Sequence, residues 1–189
     1  MLVFGLYFLG MLFFSLLRAL FLIDFSQLVE DESWSQIAKA FMIGLRFDQI
    51  IVLVSLVPVM ILASWIKLEV RRFRKIIISY LVIVFAIHFL LLLADIRFYS
   101  YFGSRLNFLA VEYIGEGSLF GDLIVSDPQF YQTIFKWLLM STVYTILLLF
   151  LVRRVSRMPH RRSRLNRVVY FIALLALFAL GIRGRVSLA

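Results

Sequence analysis

The sequence contains no cysteine, only three prolines and few charged residues. The lack of cysteine and the low charge each exclude classes of protein. Without cysteine there is no disulfide, no thiolate metal site and no cysteine nucleophile. Charged residues make up 16% of the 189 residues and hydrophobic ones 63%, whereas soluble domains average about 25% and about 45–50%. This excludes a soluble globular fold, and the abundance of Phe, Leu and Ile excludes a disordered chain. The composition is that of an integral membrane protein.

Five segments are apolar and long enough to cross the roughly 30 Å of membrane hydrocarbon. We therefore predict an all-α integral membrane fold with one domain, residues 1–189. Short interfacial helices are expected on the outer side, in segments 33–44 and 95–128. Ser33 and Gln36 fit a capping box, and Gly44 is where we expect the first interfacial helix to turn into the membrane. The predicted spans are about 2–23, 45–66, 76–94, 132–152 and 168–182.

The basic residues predict the orientation of these spans. The loop between the second and third spans and the loop between the fourth and fifth spans together hold twelve of the 20 Lys and Arg residues. Of the 11 acidic residues, only Glu69 lies in these loops. The positive-inside rule places both loops in the cytoplasm. An odd number of spans then puts the N-terminus inside and the C-terminus outside.

Two pairs of opposite charges lie at the outer edges of spans. Arg46 and Asp48 open the second span, and Asp95 and Arg97 close the third. Residues two apart on a helix do not face each other, so we expect Arg46 to pair with Asp95 and Asp48 with Arg97. Because ionisable groups near hydrocarbon are costly and often functional, two interpretations stay open. The four residues form either an interhelical lock or a binding site for an anionic lipid headgroup.

The remaining polar residues give weaker hypotheses. Arg105 offers a planar fork for phosphate, with Asn107 as a neutral donor and acceptor; the alternative is an arginine that snorkels to the interface. His88 has no acidic or thiol neighbours in the sequence, so we interpret it as a core histidine and predict no metal site. The arginine-rich loop Arg153–Arg167 fits anionic inner-leaflet lipid and topology better than nucleic acid, which we do not expect as a partner. No nucleophile–base motif is present, so we predict no catalytic residue in this chain.

Four short motifs and their order on the spans resemble a known family, the N-terminal membrane domain of the lipoteichoic-acid-synthase-like phosphoglycerol transferases. These enzymes belong to the sulfatase and alkaline-phosphatase superfamily. The resemblance covers essentially the whole chain. The motifs are Gly44-Leu-Arg-Phe-Asp48, Asp95-x-x-Phe-Tyr99, Arg105-x-Asn107 and Gly181-Ile-Arg-Gly184.

The resemblance implies a catalytic domain after Ala189 that this sequence does not include. There a threonine nucleophile and a divalent metal (Mn, Mg or Zn) would transfer phosphoglycerol or phosphoethanolamine from a phospholipid. None of those catalytic or metal-binding residues can be assigned here, so the chain needs no cofactor of its own and is not a complete enzyme by itself. The resemblance implies two kinds of position in this sequence, headgroup-binding or interhelical residues and one linker contact. The first kind comprises Arg46, Asp48, Asp95, Arg97, Arg105 and Asn107, and the linker contact is Arg183.

The function implied is a membrane anchor and lipid-donor docking domain at the outer face of the bacterial cytoplasmic (inner) membrane. Its partners would be an anionic phospholipid and its own C-terminal catalytic domain. The alternative is a stand-alone multi-pass membrane protein, either a small transporter subunit or an assembly partner. A transporter is expected to show broken helices, inverted repeats or an ionisable group near mid-bilayer. Here the charged residues cluster at the outer ends of the spans.

Overall fold

The protein is described here from a computed structural model covering residues 2–30, 32–65, 71–105 and 129–156, with the isolated residues 172 and 176. All regular structure in these ranges is helical. Within them, four helices are long and apolar enough to cross a membrane. A 3₁₀ turn, Ser26–Val29, follows the first helix. The four helices are α1 (Leu2–Asp24), α2 (Trp34–Trp65), α3 (Arg71–Phe102) and α4 (Phe130–Ser156).

Four of the five predicted spans therefore coincide with helices, and the fifth, 168–182, lies outside the described ranges apart from two isolated residues. Each observed helix is at least as long as its predicted span. α3 contains 32 residues, which makes it about 48 Å long at 1.5 Å per residue. It therefore extends beyond the hydrocarbon thickness at its ends, where its charged residues lie.

The N-terminus of α2 has the capping box predicted from the sequence. The amide of Gln36 donates to the Ser33 hydroxyl at 3.4 Å, and the Ser33 amide donates to the Gln36 side-chain oxygen at 3.1 Å. The predicted turn at Gly44 is wrong, because α2 runs unbroken from Trp34 to Trp65. Segment 33–44 is thus the first part of the second spanning helix and not a separate interfacial helix.

The second predicted interfacial segment, 95–128, needs a similar correction in its first part. Residues 95–102 contain neither glycine nor proline, and they form the last two turns of α3. The helix ends at Gly103, whose φ of +62° is accessible to glycine at no steric cost. The Gly103 amide donates to the Tyr99 carbonyl at 2.9 Å, as in a glycine C-cap. The rest of that segment, 106–128, lies outside the described residues.

The helices pack as an antiparallel bundle in which α1 contacts the other three. An aromatic cluster forms the centre: the Phe13 and Phe89 rings stack at 5.3 Å, and the Phe85 and Tyr144 rings stack at 4.6 Å. Gly10 permits the close approach of α1 to α2, since a Cβ there would meet Val52 at 2.9 Å. Large apolar side chains are exposed along the outside of all four helices. Such a surface suits lipid contact rather than water.

The two ends of the bundle differ in charge. At one end, here called the basic end, α3 begins with Arg71, Arg72, Arg74 and Lys75, and α4 finishes with Arg153 and Arg154. A hydrogen bond of 3.4 Å from Arg74 to Ser156 joins these two helix ends. At the opposite end, here called the polar end, side chains of both signs from α1, α2, α3 and α4 interact. The candidate site lies at this polar end.

Candidate functional site

The most buried charged contact joins α1 to α2. Arg18 donates to both carboxylate oxygens of Asp48, from Nε to Oδ2 at 3.0 Å and from Nη2 to Oδ1 at 2.7 Å. The Asp48 side chain is only 6% exposed and that of Arg18 22%. A lone charge in an apolar helix is costly unless it is paired, and a bidentate guanidinium–carboxylate contact is the strongest pairing of this kind. Arg18 was not among the candidate residues, although an arginine inside an apolar span was itself a signal that a partner existed.

Gly44 makes this contact possible. It lies one helical turn before Asp48, and a Cβ at this position would overlap the guanidinium of Arg18. Glycine therefore leaves the space in which the arginine side chain reaches Asp48 across the surface of α2. This explains a glycine in the middle of a helix, where glycine costs up to about 1 kcal/mol relative to alanine. The residue that suggested a turn in the chain instead accommodates a side chain from α1.

A second ion pair lies nearer the solvent at the same end. Arg105 follows α3 and folds back so that its Nη1 lies 2.7 Å from Oδ2 of Asp95. Its guanidinium carbon also lies 4.1 Å from the centre of the Phe21 ring, within the range of a cation–π interaction. The Arg105 side chain is 53% exposed and that of Asp95 is 15% exposed. Arg105 is thus held at the surface by a carboxylate and an aromatic ring.

Both ion pairs line one open cleft, here called the α1–α2–α3 cleft. Its floor consists of apolar side chains from α1 and α3, and its charged groups are two arginines and two aspartates. The lining thus combines charged groups at the rim with apolar side chains at the floor. The apolar lining residues are Phe14, Leu17, Phe21, Leu92 and Ile96.

A further polar cluster lies on the other side of α3. Nε of Arg97 donates to the Thr133 hydroxyl at 2.9 Å, and the same guanidinium also donates to the side-chain oxygen of Gln129. Nearby, Lys136 and Asp24 approach to 3.8 Å, and both are partly exposed. These groups lie around an open cleft with an apolar floor of Leu20, Leu93 and Ile96, here called the α1–α3–α4 cleft.

The predicted pairings of Arg46 with Asp95 and of Asp48 with Arg97 are therefore wrong. Asp48 pairs with Arg18, Asp95 pairs with Arg105, and Arg97 bonds to α4. Arg46 is exposed on α2. The physical reason is that α1 packs against α2, α3 and α4, so groups on α2 meet an arginine from α1. The prediction had considered only pairs between the second and third spans.

The other candidate residues divide between the described and undescribed parts of the chain. Asn107 and Arg183 lie outside the described residues. His88 is partly buried between Phe14 and Phe85, and its Nδ1 lies 2.8 Å from the Val84 carbonyl. This packing agrees with a core histidine. Within the described ranges, no group of three or more His, Asp or Glu side chains could hold a metal ion.

Comparison with known proteins gives no further assignment. The chain matches no protein-family model, and no curated protein or solved structure is significantly similar to it. Fold and composition define the class as an all-helical protein whose described helices are suited to a membrane.

Proposed function

We propose that this chain is a membrane domain that docks the headgroup of a phospholipid in the α1–α2–α3 cleft. In this proposal it is the anchor and donor-docking domain of a phosphoglycerol or phosphoethanolamine transferase. The observation that carries the docking proposal is the position of Arg105. Its exposed guanidinium lies at the rim of an apolar-floored cleft, held by one carboxylate and one aromatic ring. The transferase assignment rests on the sequence resemblance.

The two ion pairs of the cleft have different roles in this proposal. Arg18 and Asp48 form a buried bidentate contact that stays closed and holds α1 against α2. Arg105 and Asp95 form a contact in which the arginine is half exposed, so water screens this pair more than it screens the first pair. A phosphate at the rim can therefore compete with Asp95 for the half-exposed guanidinium of Arg105.

The orientation proposed for the bundle puts this cleft at the outer leaflet of a bacterial inner membrane. The basic residues at the start of α3 and at the end of α4 lie together at the basic end, and positive charge favours the cytoplasmic side. The polar end then faces outward. A fifth span at about 168–182 would carry the chain out to a catalytic domain, and the part of segment 95–128 that follows α3 would lie along the outer interface.

Photo-crosslinking tests the docking site. The full chain is reconstituted in lipid nanodiscs with a phospholipid that carries a photoreactive group in its headgroup, and the crosslinked peptides are located by mass spectrometry. We expect crosslinks near Phe21 and Leu92. Arg105→Ala should lower their yield about tenfold, the factor that corresponds to loss of a charge-assisted hydrogen bond. Arg46→Ala is the matched control, because Arg46 is an exposed arginine that does not line the cleft.

Two results would contradict the docking site: equal yields for Arg105→Ala and Arg46→Ala, or crosslinks confined to other surfaces. The link to a transferase needs a separate measurement, the size of the polypeptide in its native membranes on an immunoblot. A band far above 22.1 kDa supports the proposed catalytic domain. A band near that mass would favour the stand-alone membrane protein.

A further inference from the structure

The charged groups on the two sides of α3 are balanced differently. Among the described residues, the α1–α2–α3 cleft is lined by two arginines and two aspartates. The α1–α3–α4 cleft is lined by two cations, Arg97 and Lys136, and one carboxylate, Asp24. The second cleft therefore has a formal surplus of one positive charge. Its electrostatic potential favours an anion, whereas the first cleft is neutral overall.

Within the described residues, the hydrogen bonds of Arg97 do not offset this surplus. They go to neutral groups, the hydroxyl of Thr133 and the side-chain amide of Gln129, and orient the guanidinium over the cleft. The Thr133 hydroxyl in turn donates to the Gln129 carbonyl at 3.0 Å, so it presents its oxygen to Arg97. These bonds use only part of the donor capacity of a guanidinium. The remaining N–H groups can bind an oxyanion.

Lys136 and Asp24 form the exchangeable part of this cleft. Their charged atoms are 3.8 Å apart, longer than an ordinary charge-assisted hydrogen bond of about 2.7–2.9 Å. Both side chains are partly exposed, so this contact holds Lys136 weakly. Thr133 lies in the first turn of α4, at the positive end of the helix dipole. All of these features favour an oxyanion between Arg97 and Lys136.

From this geometry we infer that the α1–α3–α4 cleft binds the phosphodiester of an anionic glycerophospholipid, separately from the α1–α2–α3 cleft. The chemistry recognised is a phosphate oxyanion, which a lipid or free phosphate could supply. The surroundings indicate the lipid: the floor of the cleft consists of the apolar side chains of Leu20, Leu93 and Ile96. Acyl chains can cover them, and a free phosphate cannot. This inference does not require the first cleft to bind lipid.

Native mass spectrometry of the full chain tests this site. The protein is released from nanodiscs made of phosphatidylglycerol and phosphatidylethanolamine, and the retained lipids are identified by mass. We expect retention of phosphatidylglycerol that Lys136→Gln lowers about tenfold, as for loss of a charge-assisted hydrogen bond. Lys39→Gln is the matched control, since it removes the same charge from an exposed position on α2. Phosphatidylethanolamine retention should not change.

Asp24→Asn tests the same site with a variant in which lipid retention should increase, so a loss of folding cannot imitate the expected result. Removing the competing carboxylate should raise phosphatidylglycerol retention about threefold, in the range of a partly exposed charge interaction. Unchanged retention in both variants, or an equal loss in Lys39→Gln, would overturn the site. Displacement of the lipid by millimolar inorganic phosphate would overturn the lipid as its ligand and assign the site to free phosphate. The photo-crosslinking yield at Phe21 reports on the first cleft independently.

Discussion

The two ion pairs of the α1–α2–α3 cleft have the same closest distance and different surroundings. Arg18 to Asp48 and Arg105 to Asp95 both have a nitrogen–oxygen separation of 2.7 Å. The first is bidentate and mostly buried, and the second is a single contact with a half-exposed arginine. Distance therefore does not distinguish a structural pair from an exchangeable one. Burial and the number of hydrogen bonds do, because they set the cost of separating the charges.

The largest expected effect follows from breaking the buried pair on one side. Asp48→Ala should lower the free energy of unfolding by about 3 kcal/mol or more, because it leaves the Arg18 charge without its partner between helices. Thermal unfolding in detergent, followed by circular dichroism, measures this change. The double variant Arg18→Met with Asp48→Leu is the control and should recover most of the loss. Equal destabilisation in the double variant would mean that packing, rather than the unpaired charge, is responsible.

A smaller loss is expected when the space above Gly44 is filled. Gly44→Ala places a methyl group where the Arg18 guanidinium lies, and overpacking of this kind costs about 1–3 kcal/mol. The same unfolding measurement applies. Combining Gly44→Ala with Arg18→Met removes the overlap, so the two effects should not add. Additive effects would show that the glycine serves the helix backbone and not the arginine.

The exposed pair should respond differently to the corresponding change. Asp95→Asn should lower the free energy of unfolding by less than Asp48→Ala does, since Arg105 is half exposed and solvent screens its charge. Headgroup crosslinking at the α1–α2–α3 cleft should increase with an anionic probe, because Arg105 loses a competing carboxylate. Measuring both quantities on one preparation separates stability from binding. A loss of stability as large as that of Asp48→Ala would remove the distinction between the two pairs.

The smallest effect is expected at the ring beneath Arg105. Phe21→Leu keeps an apolar side chain but removes the cation–π contact, which at exposed sites contributes about 0.5–1 kcal/mol. Crosslinking yield should fall about two- to fivefold with little change in unfolding temperature. Phe25→Leu is a suitable control, because Phe25 packs against Phe21 and Tyr99 and does not line the cleft. Equal losses in both variants would assign the effect to the aromatic cluster as a whole.

Sequence patterns were sufficient for the helices and for one cap. Long apolar runs predicted all four described helices, since each run must satisfy its backbone hydrogen bonds within itself to enter hydrocarbon. Ser33 and Gln36 correctly predicted the start of α2. Gly44 was misinterpreted, because a glycine inside a helical pattern has two explanations, a bend or a close neighbour. Only the position of Arg18 distinguishes them.

The pairing of charges could not be derived from the chain alone. Asp48 has several arginines within reach along the sequence, and its actual partner lies 30 residues before it on α1. The two clefts likewise depend on how α1 packs against the other helices. Thr133 and Gln129, which hold Arg97, have no sequence feature that links them to it.

The amino-acid sequence by itself determined the apolar helices and the separation of a basic from a mixed-charge end. These follow from local composition, because each helix meets the membrane as a separate segment. The tertiary structure decided which charges pair, why Gly44 is a glycine and how α3 separates a neutral cleft from a positive one. These depend on the rotation and packing of α1 between its neighbours, which no local pattern specifies.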